Sequence, residues 1–272
     1  VKALPSGAGQ GANVATFVLI HGAFTGGWIW GRTAKALRAL GHDVHRPTLT
    51  GCGERSHLLR PEIALTMHVE DVAQMLFHED LEHVVLVGHG YGGMIASAVA
   101  HRHGGKVLGV VHVDGVVPER GASFLEASGR GAGRMSMRQN GSDWLLAPPP
   151  AESFGVKCRE LARWLSVRLQ PFPRECLSTP YPYGRRDRDK PCVYLHTTSM
   201  EDPAIRTQAA RASLMGMKVD ELATGPLPMV TNPGRLAKTL DSVVRRMDAE
   251  YSICKTAKRG RDKQYRFDGT DR

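Results

Sequence analysis

The sequence predicts an α/β protein, with a mostly parallel sheet covered by helices on both faces and a lid inserted into it. Short valine- and leucine-rich runs, such as Thr16-Phe17-Val18-Leu19-Ile20 and Val84-Val85-Leu86-Val87, have strand length and no wet face, as strands buried on both sides require. Between them, apolar residues recur at helical spacing, so strand and helix alternate along the chain. At 272 residues, 42% hydrophobic and 23% charged, the chain is long enough for one such domain and needs no second.

Residues 1–13 are rich in Gly, Ala and Ser and read as a loose, flexible arm. The strand at 16–20 ends in His21-Gly22-Ala23 and the loop Phe24-Thr25-Gly26-Gly27. Trp30, Ala34, Leu37 and Leu40 then mark a helix that Gly41 stops. A second strand is expected over 44–48, leading into the turn-rich Leu49-Thr50-Gly51-Cys52-Gly53-Glu54-Arg55-Ser56-His57-Leu58. Val69, Val72, Ala73 and Leu76 form one helical face before the strand at 84–87. That strand breaks at Gly88-His89-Gly90-Tyr91-Gly92-Gly93 and continues at once into a small-residue helix, the form of a sharp strand-to-helix turn. Residues 107–113 give another buried strand, closed by Asp114-Gly115. Residues 119–190 are Gly-, Pro- and Arg-rich, with Trp144, Phe154, Trp164 and Phe172 as their large apolar groups. Residues 191–196 resume the sheet. Asn232 as N-cap, Pro233 at N1, and Leu236, Leu240, Val243, Val244 and Met247 on one face define the last helix.

Three segments carry a resemblance: Phe17 through Trp30, Pro47 through Leu58, and Gly88-His89-Gly90-Tyr91-Gly92-Gly93. Together, in this order, they resemble the small esterase and hydroxynitrile-lyase branch of the α/β-hydrolases, which includes pyrethroid-hydrolase-like proteins and methylesterases. The resemblance implies the α/β-hydrolase fold, with a core at 14–118 and 191–250 and a lid at 119–190. The glycine-flanked turn resembles the nucleophile elbow, G-x-S-x-G, but its serine position reads Gly90. The loop that holds the family's histidine reads Thr224-Gly225-Pro226-Leu227-Pro228-Met229, with Pro226 at the histidine position. Asp202 stands at the acid position, although Asp followed by Pro is equally the signature of a helix N-cap. The resemblance places the oxyanion-hole amides at Ala23 and Tyr91. His21, Gly22, Thr25, Gly90 and Trp144 are expected in the substrate pocket, and His89 is a further acid or base candidate.

Composition excludes other classes. Five scattered cysteines without C-x-x-C spacing argue against both a disulfide framework and a zinc site, so no metal is expected. The formal net charge is +9, of which residues 255–272 supply +4 from seven Lys/Arg against three Asp. This basic tail, 251–272, has no nucleic-acid motif and reads as a solvated extension. With no long apolar run and no leader pattern, no membrane partner is expected and the chain reads as cytoplasmic. A small-molecule substrate or ligand is the expected partner, with a homodimer as a candidate assembly, and no cofactor is expected.

Serine and histidine of a triad work as a unit, since the hydroxyl is a weak nucleophile until a base takes its proton. With Gly90 and Pro226 at those positions, three functions follow in order. The first is a non-hydrolytic lyase, cyclase or isomerase that uses the oxyanion hole. The others are a catalytically silent binding protein and a hydrolase with unconventional residues.

Overall fold

A run such as Phe-Val-Leu-Ile forms a strand here because both of its faces meet a helical layer, so Phe17, Val18, Leu19 and Ile20 are all fully buried. In the computed structural model, which describes residues 14–129, 143–184 and 190–267, this strand is β1, Thr16–Ile20. The elements that follow are α1 (Gly31–Ala39), β2 (Asp43–His45), α2 (Leu65–His78), β3 (Val84–His89), α3 (Gly92–Arg102) and β4 (Val107–Val113). The expected lid contributes α4 (Phe124–Ala127), β5 (Leu145–Leu146), α5 (Arg159–Ser166), β6 (Phe172–Pro173) and α6 (Glu175–Ser178). The chain returns through β7 (Cys192–Thr197), α7 (Pro203–Leu214), β8 (Lys218–Leu222), α8 (Pro228–Thr231) and α9 (Pro233–Phe267).

The main sheet has six strands in the order β2-β1-β3-β4-β7-β8, every neighbouring pair parallel. Alternate side chains divide the core between its faces. On one face Phe17, Leu19, Val85, Val87 and Val111 pack with Leu37 of α1 and with Leu236, Leu240 and Val244 of α9. On the other, Val18, Leu86 and Val110 pack with Val72 of α2, Ile95 of α3 and Ala209 of α7, and with Phe172 and Leu177 from between β4 and β7. The covered parallel sheet predicted from the sequence is therefore the fold observed.

Three elements differ from expectation. The second strand ends at His45 because Pro47 has no N–H for the ladder. Thr48 instead turns its hydroxyl to the Gly27 N–H at 2.9 Å. β8 is an additional edge strand, Lys-Val-Asp-Glu-Leu, in which only Leu222 is buried. The tail is not a separate extension from residue 251: α9 runs unbroken to Phe267, since the segment has no proline and is rich in Lys and Arg, both good helix formers. The arm at 1–13 lies outside the described residues, as do 130–142 and 185–189 of the lid. Among the described residues, no helix is long and apolar enough to cross a membrane.

Candidate functional site

Parallel strands all end at one edge of the sheet, so the loops leaving β1, β3, β4, β7 and β8 are gathered there. The tightest is the turn from β3 to α3. A methyl group on Gly92 would come within 2.6 Å of the Ile20 carbonyl oxygen and 2.7 Å of that of His21, so only glycine lets α3 start this close to the end of β1. Gly90, at the apex, has φ +53°, and a methyl group there would meet nothing within 4 Å. The turn is thus packed hard underneath and open above. The Gly90 carbonyl accepts hydrogen bonds from Gly93 N–H at 3.1 Å and Val116 N–H at 2.9 Å, which fixes the apex to the next strand's loop.

Two further segments meet this turn. Gly22 lies against His89: a methyl on Gly22 would be 3.1 Å from His89 Nδ1. His89 Nε2 donates to the Pro226 carbonyl at 3.0 Å, bringing the loop before α8 to the elbow. Ala23, His89 and Gly90 all keep part of their surface accessible. Gly22, the His89-Gly90 turn and Pro226, far apart in sequence, are therefore brought together.

Other expected pocket residues turn inward instead. His21 is fully buried; its Nδ1–H donates to the Gly22 carbonyl at 2.8 Å and its Nε2 accepts from Leu49 N–H at 3.1 Å. Burial lowers its pKa to about 4, which keeps the ring neutral and its tautomer fixed. Thr25 is buried, with its hydroxyl donating back to the Gly22 carbonyl at 3.0 Å. Tyr91 points its phenol down into the core. His68 Nε2–H donates to the Thr50 carbonyl at 2.9 Å, so its Nδ1 is the acceptor and takes the Tyr91 hydroxyl proton at 3.1 Å. Thr50 in turn gives its N–H and hydroxyl to the Asp71 carboxylate at 2.6 and 2.7 Å. Burial also pushes up the Cys52 thiol, so that it stays protonated, and raises Cys176, which donates to the Ile63 carbonyl at 3.2 Å, to about 12. Neither is a nucleophile in this setting.

Asp202 caps α7, its carboxylate accepting from Ala204 N–H at 2.9 Å with Pro203 at N1. The Trp144 carbonyl is held by Arg174 N–H at 2.8 Å. The lid aromatic that closes on the elbow is Phe172, with ring centroids 5.7 Å from Phe24 and 5.4 Å from Tyr91. Sequence reasoning also passed over Asp114, a buried non-glycine residue at φ +44°. Its carboxylate accepts from Thr197 N–H at 2.9 Å and from the Thr197 hydroxyl, and lies 3.8 Å from His196 Nδ1. That carboxylate raises the His196 pKa. The Asp-Gly pair closing β4 was its only signal. An open cavity of about 440 Å³ lies elsewhere, along Arg159, Arg163, Trp164 and Val167 of the α5 region. Among the described residues, no group of three or more His, Cys, Asp or Glu is arranged to hold a metal ion.

Comparison with known proteins fits this geometry. The chain is 39% identical over 168 residues to the carbendazim hydrolyzing esterase of Nocardioides sp. (strain SG-4G), covering 58% of this chain and 69% of that one. It spans less than half the length of the Arabidopsis thaliana methylesterases that it also matches. Among solved structures, polyneuridine aldehyde esterase superposes with a TM-score of 0.73 at 20% identity, covering 85% of this chain and 100% of that one. Tomato Methylketone Synthase I, complexed with 2-tridecanone, gives 0.68 at 19% identity over 86% and 99% of the two chains. The named relatives are thus enzymes, esterases for the most part. The Alpha/beta hydrolase family matches residues 17–239. With that match spanning most of the chain, and with the helix-covered parallel sheet in place, the chain belongs to the Alpha/beta hydrolase family.

Proposed function

We propose that this chain binds a small carbonyl compound at the elbow and acts on it without hydrolysis. The observation that carries this reading is Gly90: the apex has the left-handed backbone and the open space of an elbow nucleophile, yet holds no hydroxyl. We read Gly90 as standing in place of the family's serine and Pro226 in place of its histidine. Proline has no side-chain proton acceptor, and its carbonyl already takes the His89 proton. The amides assigned to the oxyanion hole, Ala23 and Tyr91, remain available as residue types, and Tyr91 stands at the N-terminus of α3, where the helix dipole favours negative charge.

Such a site suits lyase, cyclase or isomerase chemistry that passes through an enolate-like oxygen. Loss of CO₂ from a β-keto acid is the simplest case: the C–C bond breaks, its electron pair moves to the ketone oxygen held by the two amides, and water later protonates the carbon. No serine and no general base are needed. Asp202, in this reading, is an N-cap first, and His89 orients the loop at Pro226.

A second reading, ester hydrolysis by unconventional residues, is favoured by the likeness to the carbendazim hydrolyzing esterase. One experiment separates the two. The purified protein is offered activated esters and a panel of β-keto acids. The proposal expects no acyl-enzyme burst, no labelling by a fluorophosphonate, and release of a ketone from at least one β-keto acid. Robust ester turnover abolished by replacing His89 would overturn it.

A further inference from the structure

The geometry points to Gln170 as a second ligand-reading group beside the elbow, selecting carbonyl ligands that carry a hydroxyl or N–H donor; the assignment rests on the ligand-binding reading given above. The main chain of Gln170 is tied to the loop that follows β1. Its N–H donates to the Phe24 carbonyl at 3.1 Å, and Phe24 directly follows Ala23. Phe24 itself holds φ +66°, a left-handed conformation that a bulky residue keeps only where its surroundings over-determine it. Two residues beyond Gln170, the Phe172 ring packs on both Phe24 and Tyr91. This short stretch of lid is therefore seated on both turns of the site.

Gln170 precedes Pro171, whose ring disfavours the helical region for it. Gln170 stands between the Phe24 carbonyl that accepts from its N–H and the Phe172 ring, beside the loop that carries Ala23. Its side-chain Oε1 is shut away from solvent and, among the described residues, accepts no hydrogen bond from a protein donor. A shielded amide oxygen in that condition carries its desolvation cost uncompensated. A ligand held by its carbonyl and presenting an O–H or N–H nearby offsets that cost, whereas an ether or N-alkyl analogue does not. The same asymmetry lets buried polar groups discriminate strongly against analogues that lack the matching donor.

The test uses the full chain, its Gln170→Leu and Gln170→Met variants, and two probes, 2-hydroxyacetophenone and 2-methoxyacetophenone, titrated calorimetrically. Wild type should bind the hydroxy ketone about tenfold more tightly than its methyl ether, and both variants should bind the two probes alike. Both variants should also unfold at a higher temperature than wild type, because they remove an unsatisfied oxygen. Equal binding of the two probes by wild type would overturn the role of Gln170 while leaving the ligand-binding reading intact. Binding of neither would overturn both. A fall in melting temperature in both variants would mean that the oxygen already has a partner in the free protein, and would overturn the assignment.

Discussion

At the scale of single residues, the elbow divides its glycines by what surrounds them. Gly92 faces carbonyl oxygens of Ile20 and His21 at 2.6 and 2.7 Å from an added methyl, and these lie at the end of β1, an inner strand that cannot move aside. Gly90 has open space and only its φ of +53° to resist a side chain. Gly90→Ala should therefore cost about 1 to 2 kcal/mol, and Gly92→Ala clearly more, as read from urea unfolding; equal losses would refute this account of the turn. Gly90→Ser alone should gain almost no esterase activity, because no histidine stands at 226 to take its proton. Gly90→Ser with Pro226→His is the pair expected to gain weak ester hydrolysis, since residue 226 is already within a hydrogen bond of His89. A serine variant active without the histidine would expose another base. Much of this neighbourhood is legible in the sequence, because glycine spacing reports the turns directly. The inward network is not: His68 meets Tyr91, 23 positions away, and the Thr50 carbonyl only once α2 has packed against α3, and no local pattern marks that meeting.

Among elements, legibility follows burial. Strands enclosed on both faces announce themselves as apolar runs, as β1, β3 and β4 do. β8 lies at the sheet edge with one buried residue, so its sequence alternates no more than a loop would. α9 shows both behaviours in one helix. Its first part packs Leu236, Leu240, Val243, Val244 and Met247 into the core, and Tyr251 makes its last described contacts, a ring contact to His83 at 4.9 Å and a cation–π contact with Lys190. The basic residues beyond it hid the helix, because charge density was read as solvation while propensity favoured continuation. Truncation after Cys254 should leave the thermal midpoint nearly unchanged, whereas truncation after Val243 removes Met247 and Tyr251 from the core and should lower it sharply. A large fall from the shorter deletion would mean that the far end of α9 is docked.

On the scale of the whole molecule, the sequence order of strand and helix was enough to give the covered parallel sheet, while the division of its core into two faces emerges only from the strand order β2-β1-β3-β4-β7-β8. That core encloses neutral histidines, and they set how stability varies with pH. His21 is lowered by burial from 6.5 to about 4, and His68 is lowered in the same direction, also by burial. A depressed pKa means that the unfolded chain binds the proton more readily than the folded one. Stability from these groups is fully present above pH 6.5 and is lost as pH falls toward 4; for His21 alone the loss is roughly 3 kcal/mol. His196 works in the opposite sense, since Asp114 raises its pKa, and its contribution is present below 6.5 and lost as pH rises through its folded value. Asp241, held below 3.8 by Arg245, is protonated only beneath this window. Urea unfolding between pH 4 and 8 should therefore show a steep decline below 6.5. His21→Asn should be less stable at pH 7, having lost one of two hydrogen bonds, but should decline less steeply toward pH 4. An unchanged slope in that variant would remove His21 as the source of the acid sensitivity.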